Sequence, residues 1–187
     1  MKSVLLALSA LLIAVPEGYA QSWRIYSPRR DNFSVRLPAP LRRVTFFEGK
    51  HGASNGRGAR GQKGIRFYAT QQTSPRVREY GIVVIEDSEE RRSILGDDRI
   101  GGLEFLIGGD DAEPTSESDV RVNGLAGKEF VYGKAIAEGT YTRGRIFDIG
   151  HRTYVLVFRA KAAEDLVSSD ATRFFDSFRL VKQRHRG

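Results

Sequence analysis

The run Gly56-Arg57-Gly58-Ala59-Arg60-Gly61 matches the pattern G-x-G-x-x-G, in which glycines let the backbone approach the pyrophosphate of a dinucleotide. That chemistry needs a buried strand before the run, a helix after it and an acidic residue about 20 positions further on. Here Ile65–Gln71 has the pattern of a strand, and Arg76-Val77-Arg78 stands where the acid would be. Lys63 is not followed by Ser or Thr, which excludes a P-loop. The run therefore indicates a flexible connecting loop rather than a nucleotide site.

Basic side chains in and beside this loop are suited to binding an anion. Glycines allow a close approach of the backbone, and arginines supply paired donors that match phosphate or carboxylate. Phe67 and Tyr68 follow, and basic plus aromatic side chains also bind single-stranded nucleic acid. The competing interpretation is a solvated basic face. The candidate anion-binding residues are Arg57, Arg60, Lys63 and Arg66.

The acidic and histidine residues form no recognisable site. Five acids between Asp110 and Asp119 are suited to calcium, but their spacing is not that of an EF-hand, and Pro114 stands where a glycine is needed. His51, His151 and His185 fall in a predicted loop, turn and tail, so they share no helical or strand spacing. There is no Gly-x-Ser-x-Gly elbow. The sequence predicts no catalytic set, no metal site and no cofactor.

Residues 1–20 have the pattern of a secretory signal peptide. Lys2 supplies positive charge, Val4–Val15 is apolar, and Gly18-Tyr19-Ala20 offers small residues to a signal peptidase. About 20 apolar residues are needed to cross a bilayer, so this segment is too short, and no later stretch is longer. We expect cleavage after Ala20 and one domain over 21–187, periplasmic or secreted. Lipid headgroups, lipopolysaccharide and glycans are then the nearer polyanions, and nucleic acid is disfavoured.

Composition and charge agree with an exported binding protein. There is no cysteine, so neither a disulfide nor a thiolate metal site is available. The net charge of +7 is uneven: residues 42–80 carry nine Lys/Arg against two acids, whereas 86–119 carry twelve acids against three Arg. Such a distribution favours encounters with anionic surfaces and says nothing about the fold.

Apolar periodicity predicts the elements that position these residues. Phe33, Val35 and Leu37 alternate as one face of a strand. Tyr80–Ile85 and Thr153–Ala160 are apolar on both faces, which is typical of central strands. The other predicted strands are Ser22–Tyr26, Val44–Glu48, Ile65–Gln71, Asp119–Val122, Leu125–Tyr132 and Gly139–Ile149, with tight turns at Asn123-Gly124 and Gly150-His151.

Two helices are predicted. Ala171, Phe174, Phe175 and Phe178 have the spacing of one helical face, in a helix beginning at Ser169 or Asp170, with a start as early as Ala163 left open. A weaker pattern places a helix between Asp97 and Ile107. We expect an α+β fold with an antiparallel sheet of about six to eight strands, one mid-chain helix and one C-terminal helix.

Three segments resemble the PsbP-like fold family, which includes the extrinsic photosystem II subunit and a small Ran-GTPase-binding nuclear import factor. They are Phe33–Pro38, Asn123–Glu129 and Arg173–Phe178. The resemblance covers most of the mature chain and implies an α/β/α sandwich with a non-catalytic binding or assembly role. The sequence has no match to a photosystem-docking or Ran-binding motif, so no functional residue carries over.

We therefore expect an exported, non-catalytic binding or assembly module. Its partner is another protein or an anionic envelope surface, met through the basic Gly/Arg-rich loop. The alternatives are an enzyme whose site assembles from dispersed residues and a structural envelope protein. A deep cleft lined by buried carboxylates or His151 would favour the enzyme.

Overall fold

The computed structural model describes residues 22–38, 45–47, 65–72, 76–86, 107, 113–134 and 139–181. These ranges contain ten strands, one 3-10 helix and one α-helix. The strands are β1 (Trp23–Tyr26), β2 (Phe33–Pro38), β3 (Thr45–Phe47), β4 (Ile65–Gln72), β5 (Arg78–Glu86), β6 (Ser116–Val122), β7 (Leu125–Tyr132), β8 (Tyr141–Ile149), β9 (Arg152–Ala160) and β10 (Arg179–Leu180). The 3-10 helix is Ala163–Val167 and α1 is Ser169–Asp176.

Seven strands form one antiparallel sheet in the order β3-β4-β5-β9-β8-β7-β6. β5 lies between β4 and β9, and β9 lies between β5 and β8, which confirms both predicted central strands. Ile82 stands opposite Leu156 and Val83 opposite Val155, and all four are buried. Because neighbouring residues in a strand point to opposite faces, the middle of the sheet is apolar on both sides.

The turn at Asn123-Gly124 is confirmed and sets the register of β6 and β7. Asn123 has φ 49° and Gly124 has φ 84°, as a two-residue hairpin turn requires. Val122 consequently pairs with Leu125, and the ladder continues to Ser116 opposite Val131. The strand predicted to begin at Asp119 therefore begins earlier, at Ser116, because this register also pairs the residues from Ser116 onward with β7.

A second, three-stranded sheet has the order β1-β2-β10 and was not predicted as a separate sheet. β2 pairs with β1 through the residues from Val35 to Pro38, and with the two residues of β10 through Phe33 and Ser34. Phe33, Val35 and Leu37 are at most 2% exposed, so the inward face predicted for this strand is confirmed. β2 thus joins the beginning of the described chain to its end.

The larger of two hydrophobic clusters lies between one face of the large sheet, α1 and β2. Phe174 and Phe175 of α1 and Phe178 just after it are all 0% exposed, as their spacing predicted. Ser168 caps the helix by accepting a hydrogen bond from the backbone N–H of Ala171 at 3.3 Å. The alternative start of this helix at Ala163 is not observed, because Ala163–Val167 forms the 3-10 helix instead.

The second cluster lies on the other face of the large sheet. Val155, Ile146 and Phe130 are fully buried there. Ile107 is also fully buried in this cluster and is the one described residue of the helix predicted between Asp97 and Ile107. The rest of that helix lies outside the described residues. Across the described ranges, no helix is both long and apolar enough to cross a bilayer.

Candidate functional site

Three of the four residues predicted to bind an anion, Arg57, Arg60 and Lys63, lie outside the described residues. Arg66 is described in β4, and its side chain is 1% exposed. Its Nη2 atom pairs with a carboxylate oxygen of Asp31 and lies 2.9 Å from Oε1 of Glu86. The anions nearest to Arg66 are therefore the protein's own buried or half-buried carboxylates.

Asp31 anchors the turn before β2 onto the large sheet. Its carboxylate is completely buried, and it accepts a hydrogen bond from the Tyr68 hydroxyl in addition to pairing with Arg66. Burial and then this hydrogen bond raise the pKa of Tyr68, which keeps the phenol protonated. Tyr154 donates to the Asp31 carbonyl at 3.0 Å. The group forms a buried structural network, in which Nε of Arg66 is left without a hydrogen-bond partner among the described residues.

A second ionic network ties β5 to the helical segments. Arg78 lies 2.6 Å from Asp165 in the 3-10 helix and also pairs with Asp170 in α1. Arg76 reaches Asp165 at 3.2 Å. Since Asp165 is 3% exposed, these arginines supply the charge that its burial requires.

A third network joins β7 and β8 to α1. Glu129 accepts from Arg143 at 2.9 Å and from Arg145 at 2.6 Å, and Arg145 also lies 3.0 Å from Asp176. Both guanidiniums lie over the ring of Phe175, at 5.1 and 4.8 Å from its centroid. The arginines in these three networks all have acidic partners.

A pocket of about 310 Å³ opens where the end of α1 meets the three-stranded sheet and the β6–β7 hairpin. Three arginines contribute to its walls: Arg36 from β2, Arg173 from α1 and Arg179 from β10. Arg173 and Arg179 are six residues apart, whereas Arg36 comes from a distant segment that the pairing of β2 with β10 brings beside them. The other lining residues are Ile25, Ser34, Val35, Asn123, Asp176 and Ser177.

Hydrogen bonds fix the walls of this pocket. The backbone N–H of Arg36 donates to Oγ of Ser177 at 2.7 Å, and Ser177 donates in turn to the Phe174 carbonyl at 2.8 Å. Asn123 Nδ2 donates to the carbonyls of Asp176 and Phe178, at 3.0 and 2.7 Å. The hairpin and β2 are thereby held to the carbonyl end of α1, which leaves a pre-formed concave site.

The pocket arginines differ from the interior ones in their partners. Arg179 Nε donates to Ser34 Oγ at 3.1 Å, and the guanidinium of Arg173 stacks on Trp23. Within the described ranges, none of the three pocket arginines forms an ion pair with a carboxylate. The lining carboxylate, Asp176, is engaged by Arg145. The site therefore carries excess positive charge with donors suited to a phosphate, sulfate or carboxylate group.

Sequence reasoning did not single out Arg36, Arg173 and Arg179. Their clearest signal is that Arg36 interrupts the apolar run of β2 on its outward side, but nothing local links it to the other two. His151 is exposed in the β8–β9 turn, away from the residues that line the pocket. In the part of the chain that is described, no three histidines and acids are placed to hold a metal ion.

No protein-family model matches the sequence, and no curated protein matches it significantly. Among solved structures, the chain is similar to cyanobacterial PsbP (CyanoP) from Synechocystis sp. PCC 6803, with a TM-score of 0.52 and 12% identity over 86% of this chain and 93% of that one. It also matches a Pseudomonas aeruginosa protein of unknown function, with a TM-score of 0.35 and 13% identity over 77% of this chain and 85% of that one. The first match, which spans most of both chains, shows that this chain has a PsbP-like fold.

Proposed function

We propose that this protein is an exported, non-catalytic binding module that holds an anionic group in the pocket between β2, β10 and α1. One observation carries the proposal. Arg36, Arg173 and Arg179 line a concave site without a described acidic partner, whereas the arginines of the three ionic networks are all paired. Guanidiniums that are not neutralised inside the fold are free to bind an anion from outside.

The lining supports binding rather than a reaction. The Ser177 hydroxyl already accepts one hydrogen bond and donates another, and Ser34 accepts from Arg179. Asp176 is the acidic side chain of the lining, and it is paired with Arg145 at 3.0 Å. A nucleophile would need a base within hydrogen-bonding reach, and this set of side chains supplies none.

Two further features belong to the proposal. We place one domain over 21–187, with the segment that contains Ile107 covering the second face of the sheet to complete an α/β/α sandwich. The complete burial of Ile107 against that face supports this arrangement. We also retain Arg57, Arg60 and Lys63 as a second basic contact. Replacing all three by serine and measuring binding to heparin would test this contact.

The test of the pocket is calorimetric titration with inorganic pyrophosphate at low and moderate salt. Exchanging Arg36 and Arg179 for glutamine should weaken binding at least tenfold, because hydrogen bonds to charged groups contribute about 1.5–3 kcal/mol each. Affinity should also fall as salt rises, since exposed charges are screened within about 8 Å at physiological ionic strength. Arg24→Gln is the control, because Arg24 is an exposed arginine of β1 that does not line the pocket. Equal affinity of the double variant and the control would refute the proposal.

A further inference from the structure

We infer that this pocket docks the protein on a membrane surface of anionic phospholipid, with a lipid phosphate among the arginines and two aliphatic side chains against the acyl boundary. The inference rests on the proposed anion binding and adds the partner. It comes from the outward face of the three-stranded sheet, where apolar and basic side chains are exposed together.

Strand register places these side chains on one face. Ile25 stands opposite Arg36 in the β1–β2 pair, and Arg179 stands opposite Ser34 in the β2–β10 pair. Directly paired residues share a face, and so do residues two apart in one strand. Val181 lies two residues after Arg179, and its backbone N–H continues the pairing by donating to the Asn32 carbonyl at 2.8 Å. Val181 therefore extends the same outward face.

The apolar members of this face are unusually exposed. Ile25 is 58% exposed and Val181 is 40% exposed. Among the described residues, five large hydrophobic side chains are exposed, and Ile25 and Val181 are two of them. Leu180 is also exposed, but it pairs with Phe33 and so belongs to the opposite face of the sheet. Single exposed aliphatic residues need no explanation, but their grouping beside three arginines does.

A phospholipid surface satisfies both parts of this face. Its phosphates offer negative charge to Arg36, Arg173 and Arg179, and each such contact near an anionic bilayer strengthens binding about fivefold. Its acyl boundary accepts aliphatic side chains such as Ile25 and Val181, and stable attachment to a membrane generally takes two signals of this kind. A small soluble anion would use the arginines and leave the aliphatic side chains in water.

Two variants separate the lipid from a soluble anion. Val181→Thr, at a position that does not line the pocket, removes exposed aliphatic surface and keeps a β-branched residue, so the fold should persist. Arg36→Gln with Arg179→Gln removes charge. Each protein is tested with vesicles of phosphatidylcholine alone, with vesicles containing an equal share of phosphatidylglycerol, and with inorganic pyrophosphate.

The wild type should bind the phosphatidylglycerol vesicles and not the neutral ones. The Val181→Thr variant should lose about threefold in vesicle affinity while binding pyrophosphate as the wild type does, and the glutamine variant should lose both. Pyrophosphate binding without vesicle binding would overturn the lipid inference and leave the proposed function standing. If the glutamine variant bound vesicles and pyrophosphate as the wild type does, both the lipid inference and the proposed function would be overturned.

Heparin binding and sedimentation of the same proteins would reveal other occupants of this face. Binding to heparin with no binding to vesicles would replace the lipid by a glycan. Self-association of the wild type that the Val181→Thr variant abolishes, again without vesicle binding, would replace it by a second copy of this chain. Either result overturns the inference.

The wild type supplies a second measurement that needs no variant. Trp23 is the only tryptophan of the chain and stacks against Arg173 at the pocket wall. Lipids brominated near the headgroup end of the acyl chain should quench its fluorescence more strongly than lipids brominated at the chain end. Absence of quenching in vesicle-bound protein would contradict docking through this face.

Discussion

The guanidinium carbon of Arg173 lies 5.1 Å from the centroid of the Trp23 ring. Trp23 in turn makes an edge-to-face contact with Tyr80, with ring centroids 6.1 Å apart, and Tyr80 is 1% exposed in the core. A guanidinium that stacks on an aromatic ring keeps its N–H groups pointing outward in its own plane, where they are free to bind an anion. The packing of β1 against α1 therefore holds one pocket arginine in place and puts an optical reporter beside it.

Replacing Phe175 by alanine should lower the free energy of unfolding by about 3–5 kcal/mol, because a fully buried aromatic ring is lost and a cavity remains. The ring also faces Arg143 and Arg145, whose cation–π contacts disappear with it. Urea unfolding measures the change. Thr172→Ala, at an exposed position of the same helix, should change stability by about 0.5 kcal/mol or less. Equal effects of the two substitutions would show that α1 is packed differently.

Replacing Gly127 by alanine should destabilise the sheet by about 1–3 kcal/mol through overpacking. A Cβ atom there would collide with the Ile146 carbonyl oxygen and lie 2.7 Å from Cδ1 of Phe147. Gly81→Ala is the matched control, because its Cβ would meet Val157 Cβ at an ordinary 3.6 Å. Thermal unfolding should rank the two variants in that order, and a stable Gly127 variant would contradict the packing of β7 on β8.

Glu86 should make stability depend on pH on the acid side. The hydrogen bond from Arg66, opposed in part by burial, holds the pKa of Glu86 below its ordinary value. A carboxyl whose folded pKa is depressed stabilises the protein above its unfolded pKa of about 4.3, and this contribution is lost as pH falls through the folded value. Glu86→Gln should thus reduce stability at neutral pH and flatten its decline between about pH 4.5 and pH 3. Urea unfolding across that range measures the decline, with Glu113→Gln at an exposed position as the control. An unchanged slope in the Glu86→Gln variant would refute this prediction.

The large sheet was predictable because its strands carry local patterns. The continuous apolar runs at Tyr80–Ile85 and Thr153–Ala160 reflect two faces that are both turned to a core. The three-stranded sheet was not predictable, because β10 has only the two residues Arg179–Leu180. Two residues cannot show a period.

The candidate site was harder to predict than the fold. Arg66 follows a basic, glycine-rich segment and resembles its members in sequence, yet Asp31 and Glu86 draw it into the interior. Arg36 is two residues from Ser34 in β2, and Arg179 stands opposite Ser34 in β10. The two arginines therefore lie near each other only once β2 and β10 pair. Whether an arginine is neutralised inside the fold depends on such long-range partners, which local patterns do not report.

Export remains a prediction of the sequence, motivated by Lys2, the apolar Val4–Val15 and Gly18-Tyr19-Ala20. Expression of the full chain in a bacterial host should yield soluble protein in the periplasm or medium that begins at Gln21. N-terminal sequencing of that protein reads the result directly. Soluble exported protein that still begins at Met1 would end the hypothesis.

Anion binding in the pocket is tested most directly by an NMR titration of the wild-type protein with inorganic phosphate, observed at the arginine Nε–H groups. We expect the resonances of Arg36, Arg173 and Arg179 to shift together along one saturable curve, and the Trp23 indole resonance to follow them. Those of Arg78 and Arg145 should stay in place, because their guanidiniums are held by Asp165, Asp170, Glu129 and Asp176. Unmoved resonances in the pocket, or shifts shared equally with Arg78 and Arg145, would contradict an anion site between β2, β10 and α1.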